Sequence, residues 1–216
     1  MLKRWFSTLH VFGRELVANP RQVGAACPSS PILAGRIAAL VGRQPEGYVI
    51  ELGAGTGAIT HALLEAGVPA SRLIPVERSE RLAAHLQKRF PAVGVHHRDA
   101  RDLKQLANEL ARTGDRHVSH VVSSLPLRSL PEADVQHILA AVGQVLGERG
   151  LFIQYTYSVR GGNEPAHQLH WCGRSVVWLN LPPARVDVFA TQPATAAEFR
   201  KNSGWSAPDG NLATAS

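Results

Sequence analysis

Cysteine is scarce in this 216-residue chain. Cys27 and Cys172 are the only two, and no spacing pairs them for a metal or a disulfide framework. That excludes the disulfide-stapled class and fits a reducing compartment. Long apolar runs are missing too. None approaches the roughly 18 residues that cross a bilayer. The basic N-terminus has no uninterrupted apolar stretch and no small-residue cleavage site, so no signal peptide is expected and a cytoplasmic location is. The ten histidines include no H-E-x-x-H pair and join no carboxylate cluster at ligand spacing, so no metal is expected. No internal repeat is visible. Acidic residues are in deficit: 23 Lys and Arg stand against 17 Asp and Glu, a net charge of +6. The excess favours an anionic partner, whether nucleic acid, an anionic membrane surface or a phosphorylated substrate, and does not choose among them. What remains is ordinary globular composition, long enough for one α/β domain with a sizeable core.

The first segment places Leu2, Trp5, Phe6, Leu9, Phe12 and Leu16 at helical spacing among Lys3, Arg4, His10 and Arg14. This is a basic amphipathic helix over residues 1–18. Such a helix lies in a membrane interface or caps the domain's own core. Residues 19–30 are a turn-rich connector, and residues 1–30 form the first segment of the chain. Ser30 is placed to cap a helix that starts at Pro31 and runs to about Val41. Short apolar strands at 48–52, 72–76, 93–96, 117–123 and 151–157 then alternate with helices at 58–66, 79–90, 102–112 and 131–146. Alternation of this kind predicts an α/β fold with a parallel sheet covered on both faces. Two β-rich runs, 174–179 and 185–190, flank Leu181-Pro182-Pro183 and predict a hairpin closing one sheet edge. The domain is expected to span 31–190, followed by a flexible tail over 191–216 that is rich in Ala, Thr, Ser, Asn and Gly.

Glu51-Leu52-Gly53-Ala54-Gly55-Thr56-Gly57 follows the first of these strands and opens a helix. Glycines let the chain turn sharply and approach a ligand closely. In open α/β sheets, ligands bind beyond the carboxyl ends of such strands. Free amide groups at the helix start would meet a polar ligand. The spacing is G-x-G-x-G rather than the dinucleotide G-x-G-x-x-G. Glu51, immediately before the loop, suits the cationic methionine end of S-adenosylmethionine better than a pyrophosphate. Glu77, about twenty residues on, can accept both ribose hydroxyls, and Asp99-Ala100 after the third strand is placed for the adenine amino group. Three such elements at consecutive strand ends are far more specific than any one alone. The set resembles the signature of class I S-adenosylmethionine-dependent methyltransferases. The resemblance implies a Rossmann-like seven-stranded sheet with an antiparallel last strand. It implies cofactor contacts at Glu51, Gly53, Gly55, Gly57, Glu77 and Asp99, to which their neighbours Ala54, Arg78 and Ala100 and the strand-end Ser123 are added.

The fourth strand ends in Ser123-Ser124-Leu125-Pro126-Leu127. Ribosomal RNA adenine dimethyltransferases carry Asn-Leu-Pro-Tyr/Phe there, whose aromatic stacks on a flipped base. Here Ser124 replaces the polar residue and Leu127 the aromatic, and both departures count against a nucleobase acceptor. Residues 19–30 (NPRQVGAACPSS), Ser124-Leu-Pro-Leu127, Gln154-Tyr-Thr-Tyr157 and Trp178-Leu-Asn-Leu-Pro-Pro183 resemble, in the same order, motifs of bacterial phospholipid N-methyltransferases of the soluble, membrane-associated type. Ser124 and Ser158 stand where that group commonly has glycine. The resemblance implies methyl transfer to the amine of phosphatidylethanolamine or a related phospholipid by a protein held peripherally at an anionic membrane surface.

The reaction is an in-line attack by a neutral amine on a sulfonium methyl, so alignment and water exclusion should dominate. Ser124, Leu125 and Pro126 are expected at the acceptor atom. Tyr157 is the favoured orienting group ahead of Tyr155, His96 and His97. Its ring, with Tyr155 or Trp178, could face the cationic product. Arg21, Ser29 and Ser30 are expected to hold the lipid phosphate at a helix start. Two alternatives stand beside this reading. One is an RNA adenine N-methyltransferase of the dimethyladenosine type. The other is a non-enzymatic membrane-binding protein on the same fold. The oligomeric state is left open.

Overall fold

The computed structural model describes residues 29–113, 117–157, 169–180 and 182–202. The expected N-terminal helix and Arg21 lie outside the described residues, as do residues 203–216.

Helix α1 (Pro31–Val41) begins as its sequence requires. The Ser30 side chain accepts from the Leu33 amide at 3.2 Å, and proline occupies the first turn, where its missing N–H costs nothing. Leu33, Ala34, Ile37, Ala38 and Val41 are buried, one stripe of a helix laid on a core. The sheet has seven strands: β1 (Tyr48–Leu52), β2 (Leu73–Glu77), β3 (His96–His97), β4 (Val118–Ser123), β5 (Leu146–Thr156), β6 (His170–Val177) and β7 (Ala184–Ala190). Their order is β3-β2-β1-β4-β5-β7-β6. Strands β1 to β5 pair in parallel, and β7 runs antiparallel to both β5 and β6. The expected α/β sheet with an antiparallel last strand is the one the chain forms.

Helices α2 (Ala58–Glu65), α3 (Glu80–Arg89), α4 (Leu103–Thr113) and α5 (Glu132–Val145) connect the parallel strands. Two cores result. Side chains of α1 and α2 meet Val49, Leu73, Val122, Ile153 and Val186 on one face. Side chains of α4 and α5 meet Ile50, Leu52, Ile74, Val121 and Phe152 on the other. Covering both faces is why these strands read as continuous apolar runs. Because β7 is reversed, β6 points the same way as β1 to β5. The carboxyl ends of six strands therefore share one edge, and the site lies there.

Four boundaries differ clearly from expectation. Strand β3 is only His96–His97, where the sequence predicts a strand over 93–96. Strand β5 begins at Leu146, directly after α5, because the polar Glu148 and Arg149 mask its first residues in the sequence. Strand β6 begins at His170 and stops at Val177, which leaves Trp178 and Leu179 in the turn beyond it. The expected flexible tail opens instead with helix α6 (Pro193–Asn202). Ala196 is buried against the first core, and Arg149 pairs with Glu198 at 2.5 Å. A small apolar anchor and one ion pair order a stretch whose composition alone looks loose.

Candidate cofactor and acceptor site

At the end of β1 the chain turns through residues 53–57 into α2. Gly53, Gly55 and Gly57 all have positive φ (75°, 56° and 80°), a region L side chains rarely enter. A Cβ at Gly53 would sit 2.8 Å from the Ser124 Oγ. The amides of the loop itself are engaged. Gly53 and Ala54 donate to the Val76 carbonyl at 2.9 and 3.2 Å, and Gly57 donates to the Ala54 carbonyl at 2.9 Å. Gly55 donates to Glu77 Oε2 at 2.8 Å, while Glu77 Oε1 accepts from the Ser79 amide at 2.8 Å. The end of β2 therefore shapes the loop in advance, and the carboxylate expected at the ribose also carries this local task.

Glu51 is only 1% exposed, and its Oε2 accepts from the Thr60 hydroxyl at 2.6 Å. Burial raises its pKa to about 8. The Thr60 hydrogen bonds oppose that rise and the Glu77 charge adds to it. At neutral pH the group holds its proton. Asp99 departs from expectation. Its Oδ1 accepts from the Arg101 amide and Nε, both at 3.0 Å. Its Oδ2 meets Arg101 Nη2 at 3.0 Å and Arg78 Nε at 3.4 Å. Partial burial works against ionisation, yet the Arg101 hydrogen bonds and the two cations hold its pKa below the ordinary value. Arg101 takes three of the roughly four lone-pair sites of the carboxylate, which leaves about one for an adenine amino group. Arg78 is likewise bound to Asp99 and exposed, and Ala100 is packed into the second core.

On the acceptor side, Ser123 is buried and its Oγ accepts from the Leu125 amide at 3.3 Å. The Ser124 hydroxyl turns back onto the carbonyls of Leu52, at 3.1 Å, and of Gly53. Pro126 leads into a single 3-10 turn at Leu127–Ser129, and Leu127 is buried in the second core. Tyr155 is buried and its hydroxyl lies 2.6 Å from the Ser29 Oγ. Ser124 also hydrogen-bonds to it. Burial, with Tyr157 nearby, pushes this phenol well above its ordinary value against the pull of those two serines, so it stays neutral. Ser29, Tyr155, Ser124 and the Gly53 carbonyl thus form one chain of hydroxyls reaching the glycine loop. Tyr157, favoured from sequence, is two residues on along the same strand face and meets Tyr155 edge-on, with ring centroids 5.9 Å apart. Ser29 directs its hydroxyl to Tyr155 rather than outward. Trp178 stands 70% exposed beyond β6, outside this cluster.

Sequence reasoning places Gln154 within the motif Gln154-Tyr-Thr-Tyr157 but gives it no role. Its Nε2 donates to the carbonyls of Leu125, at 3.1 Å, and Tyr155, at 2.7 Å. It ties the Leu125-Pro126 turn to β5. A lone amide inside a strand that the pattern shows as covered on both faces was the available signal. No three His, Cys, Asp or Glu side chains converge as a metal site among the described residues.

A profile described as a methyltransferase domain matches residues 49–150. The ornithine lipid N-methyltransferase of Singulisphaera acidiphila is 34% identical over 137 residues, covering 62% of this chain and 70% of that protein. The ribosomal RNA small subunit methyltransferase A of Synechococcus sp. is 36% identical over 94 residues, 42% of this chain and only 32% of that protein. The crystal structure of N-methyltransferase NodS from Bradyrhizobium japonicum WM9 in complex with S-adenosylhomocysteine is 14% identical and superposes with a TM-score of 0.57, covering 85% of this chain and 97% of that one. The left-handed glycine cradle between a buried acid and a second strand-end acid fits the same cofactor. With its sheet order, this chain belongs to the S-adenosylmethionine-dependent methyltransferases and uses S-adenosylmethionine.

Proposed function

We propose that the chain methylates the amine of a membrane aminolipid, phosphatidylethanolamine or a related lipid, at the membrane surface. The observation that carries this reading is the hydroxyl chain Ser29–Tyr155–Ser124 beside Gly53, an uncharged acceptor for an amine N–H next to the cofactor loop. The similarity to a lipid N-methyltransferase supports it. Leu127 counts against a nucleobase, since it is buried in the core where a stacking ring would have to face the substrate.

S-adenosylmethionine supplies a methyl group activated by its sulfonium. Residues 53–57 would cradle it, Glu51 would lie toward its cationic methionine end, and Glu77 would accept from its ribose on the lone pairs left by Gly55 and Ser79. The acceptor must arrive as a neutral amine, and burial disfavours the ammonium form. Tyr155 orients that amine through its neutral hydroxyl, which Ser29 and Ser124 hold in place, while the Tyr157 ring faces the cationic product. Arg21 and the start of α1 behind Ser30 take the anionic part of the headgroup.

One assay tests the reading. Enzyme and methyl-labelled cofactor are offered mixed lipids and total RNA together, and each phase is extracted and counted. Label is expected in aminolipid. Label in RNA alone overturns the reading in favour of an RNA adenine methyltransferase, to which the ribosomal RNA relative points. Tyr155→Phe should lower kcat about 10- to 100-fold, the loss of one orienting hydrogen bond of roughly 1.5–3 kcal/mol, with cofactor affinity unchanged. Tyr157→Phe keeps its ring and should stay within about threefold.

Glu51 makes cofactor affinity depend on pH. In the free protein it carries a proton up to about pH 8. A cation beside it favours the carboxylate, so binding expels that proton. Affinity for S-adenosylhomocysteine should rise as pH climbs toward 8, by up to about tenfold per unit, and level off above. The sign for stability is opposite. The folded-state pKa lies above the ordinary 4.5, so this contribution is complete below pH 4.5 and is lost as pH rises through 8. Calorimetric titrations at several pH values check the first statement. A profile no steeper than that of Glu51→Gln removes Glu51 from the site.

A further inference from the structure

Three large apolar side chains stand exposed among the described residues: Ile32 (50%), Trp178 (70%) and Leu179 (80%). They stand on two segments that a hydrogen bond joins. Asn180 Oδ1 accepts from the Ser30 amide at 3.2 Å, which joins the turn after β6 to the start of α1, two residues before Ile32. That turn is built, not loose. Asn180 is buried, donates from Nδ2 to the Pro182 carbonyl at 2.6 Å and from its amide to the Val177 carbonyl at 3.3 Å. The buried amide fixes the backbone while the two residues before it point into water. A turn needs no tryptophan and leucine to form, and apolar side chains that a fold fixes in solvent mark a contact surface.

The position says what the contact is. β6 ends on the same edge as β4 and β5, whose ends carry Ser124 and Tyr155. The Trp178–Leu179 turn therefore lies on that edge, and the start of α1 that carries Ile32 is bonded to it through Asn180. Tryptophan, with an apolar body and a polar N–H, favours the headgroup region of a bilayer. Arg36, exposed one turn on from Ile32 along α1, and the net charge of +6 add attraction to anionic lipid. Residues 1–28, with their basic aromatic pattern, join the described chain at Ser29, beside this rim. We propose that Ile32, Trp178 and Leu179 form a membrane-docking rim that seats in the headgroup layer of an anionic bilayer and brings the acceptor mouth to the lipid. This inference rests on the aminolipid reading above and goes further by naming the surface that meets the membrane.

The test uses the full chain and vesicles of phosphatidylcholine with phosphatidylglycerol, without cofactor. Trp178→Ser with Leu179→Ser should weaken vesicle sedimentation at least about tenfold. Affinity for S-adenosylhomocysteine should be kept, which shows that the variant is folded. Brominated lipids should quench part of the tryptophan emission of the wild type, and Trp178→Phe should remove that part. Unchanged sedimentation with kept cofactor affinity overturns the rim, and so does equal quenching in Trp178→Phe. A wild-type dimer that the double variant dissolves assigns the surface to a second copy instead. Removal of residues 1–28 that newly exposes Trp178 to acrylamide assigns it to the chain's own first segment. Lipid methylation with unchanged vesicle binding defeats the rim alone, whereas label in RNA alone defeats the aminolipid reading whatever the vesicles show.

Discussion

Gly57→Ala is expected to cost about 2–5 kcal/mol of stability and to weaken cofactor binding in the same variant. Two independent strains add. Gly57 has φ 80°, where a Cβ costs about 1–2 kcal/mol. The new methyl would also lie 2.5 Å from Phe90 Cε2 and 2.7 Å from Leu86 Cδ2. Neither neighbour can swing clear. Leu86 is fully buried, and Phe90 is packed in the first core under the Arg89 guanidinium. Overpacking of this kind costs roughly 1–3 kcal/mol more. The loop has little slack, since Arg89 also donates to the Thr56 carbonyl at 2.6 Å and the Gly57 carbonyl receives the first helical bond of α2 from His61. The strain therefore moves the cradle itself. The three glycines should rank by the space around them. Gly53→Ala meets Ser124 Oγ at 2.8 Å, while Gly55→Ala meets nothing closer than 3.8 Å and keeps only its backbone penalty. Urea unfolding and S-adenosylhomocysteine titration of the three variants check the order. Gly55→Ala proving the worst, or Gly57→Ala matching wild type in both measurements, would show that the loop is not held as described.

The glycine spacing was legible because it repeats a local demand: positive φ at a strand-to-helix turn is solved by the same residue each time. The strands of the parallel half were legible for a similar reason. Burial on both faces leaves short continuous apolar runs, and Tyr48–Leu52 has the bounds the run predicts. What the sequence hid are facts of pairing. Glu51 reads as a carboxylate, and only its burial, against the pull of the Thr60 hydrogen bonds, makes it an acid near pH 8. Asp99 reads as a free strand-end acid, but Arg78 and Arg101 close on it in space. The choice between Tyr155 and Tyr157 also turned on long-range contacts. Ser29 lies 126 residues from Tyr155 in sequence, and no local pattern announces that bond. Helix α6 was missed because Ala196 and Glu198 anchor it through partners that composition does not reveal.

The same blindness covered the alternation in β7, and removing one residue there should have the largest effect on stability. In Arg185-Val186-Asp187-Val188, a period of two suggests valines inward and charges toward water. The structure buries both sets. Arg185 is 1% exposed, its Nε donating to Asp187 Oδ2 at 2.7 Å, and Arg174 Nε donates to Asp187 Oδ1 at 2.7 Å. Asp187 lies opposite Gln154 on β5 and Arg174 on β6, so its carboxylate sits where three strands meet. Asp187→Ala takes from the fully buried Arg185 guanidinium the carboxylate that accepts from its Nε, and breaking such a pair costs about 3–5 kcal/mol. The damage should reach the site, because β7 holds the strand that carries Gln154 and Tyr155. Methyl transfer should fall with stability, while the glycine loop, on the far side of β4, keeps its cofactor affinity at temperatures where the variant is folded. Removing all three charges together, as Arg174→Met, Asp187→Leu and Arg185→Met, should be less harmful than Asp187→Ala alone, since the buried guanidinium then leaves together with its carboxylate. Chemical denaturation of wild type, the single variant and the triple variant gives the comparison. A triple variant less stable than the single one would mean that the cluster contributes net stability beyond what its desolvation costs.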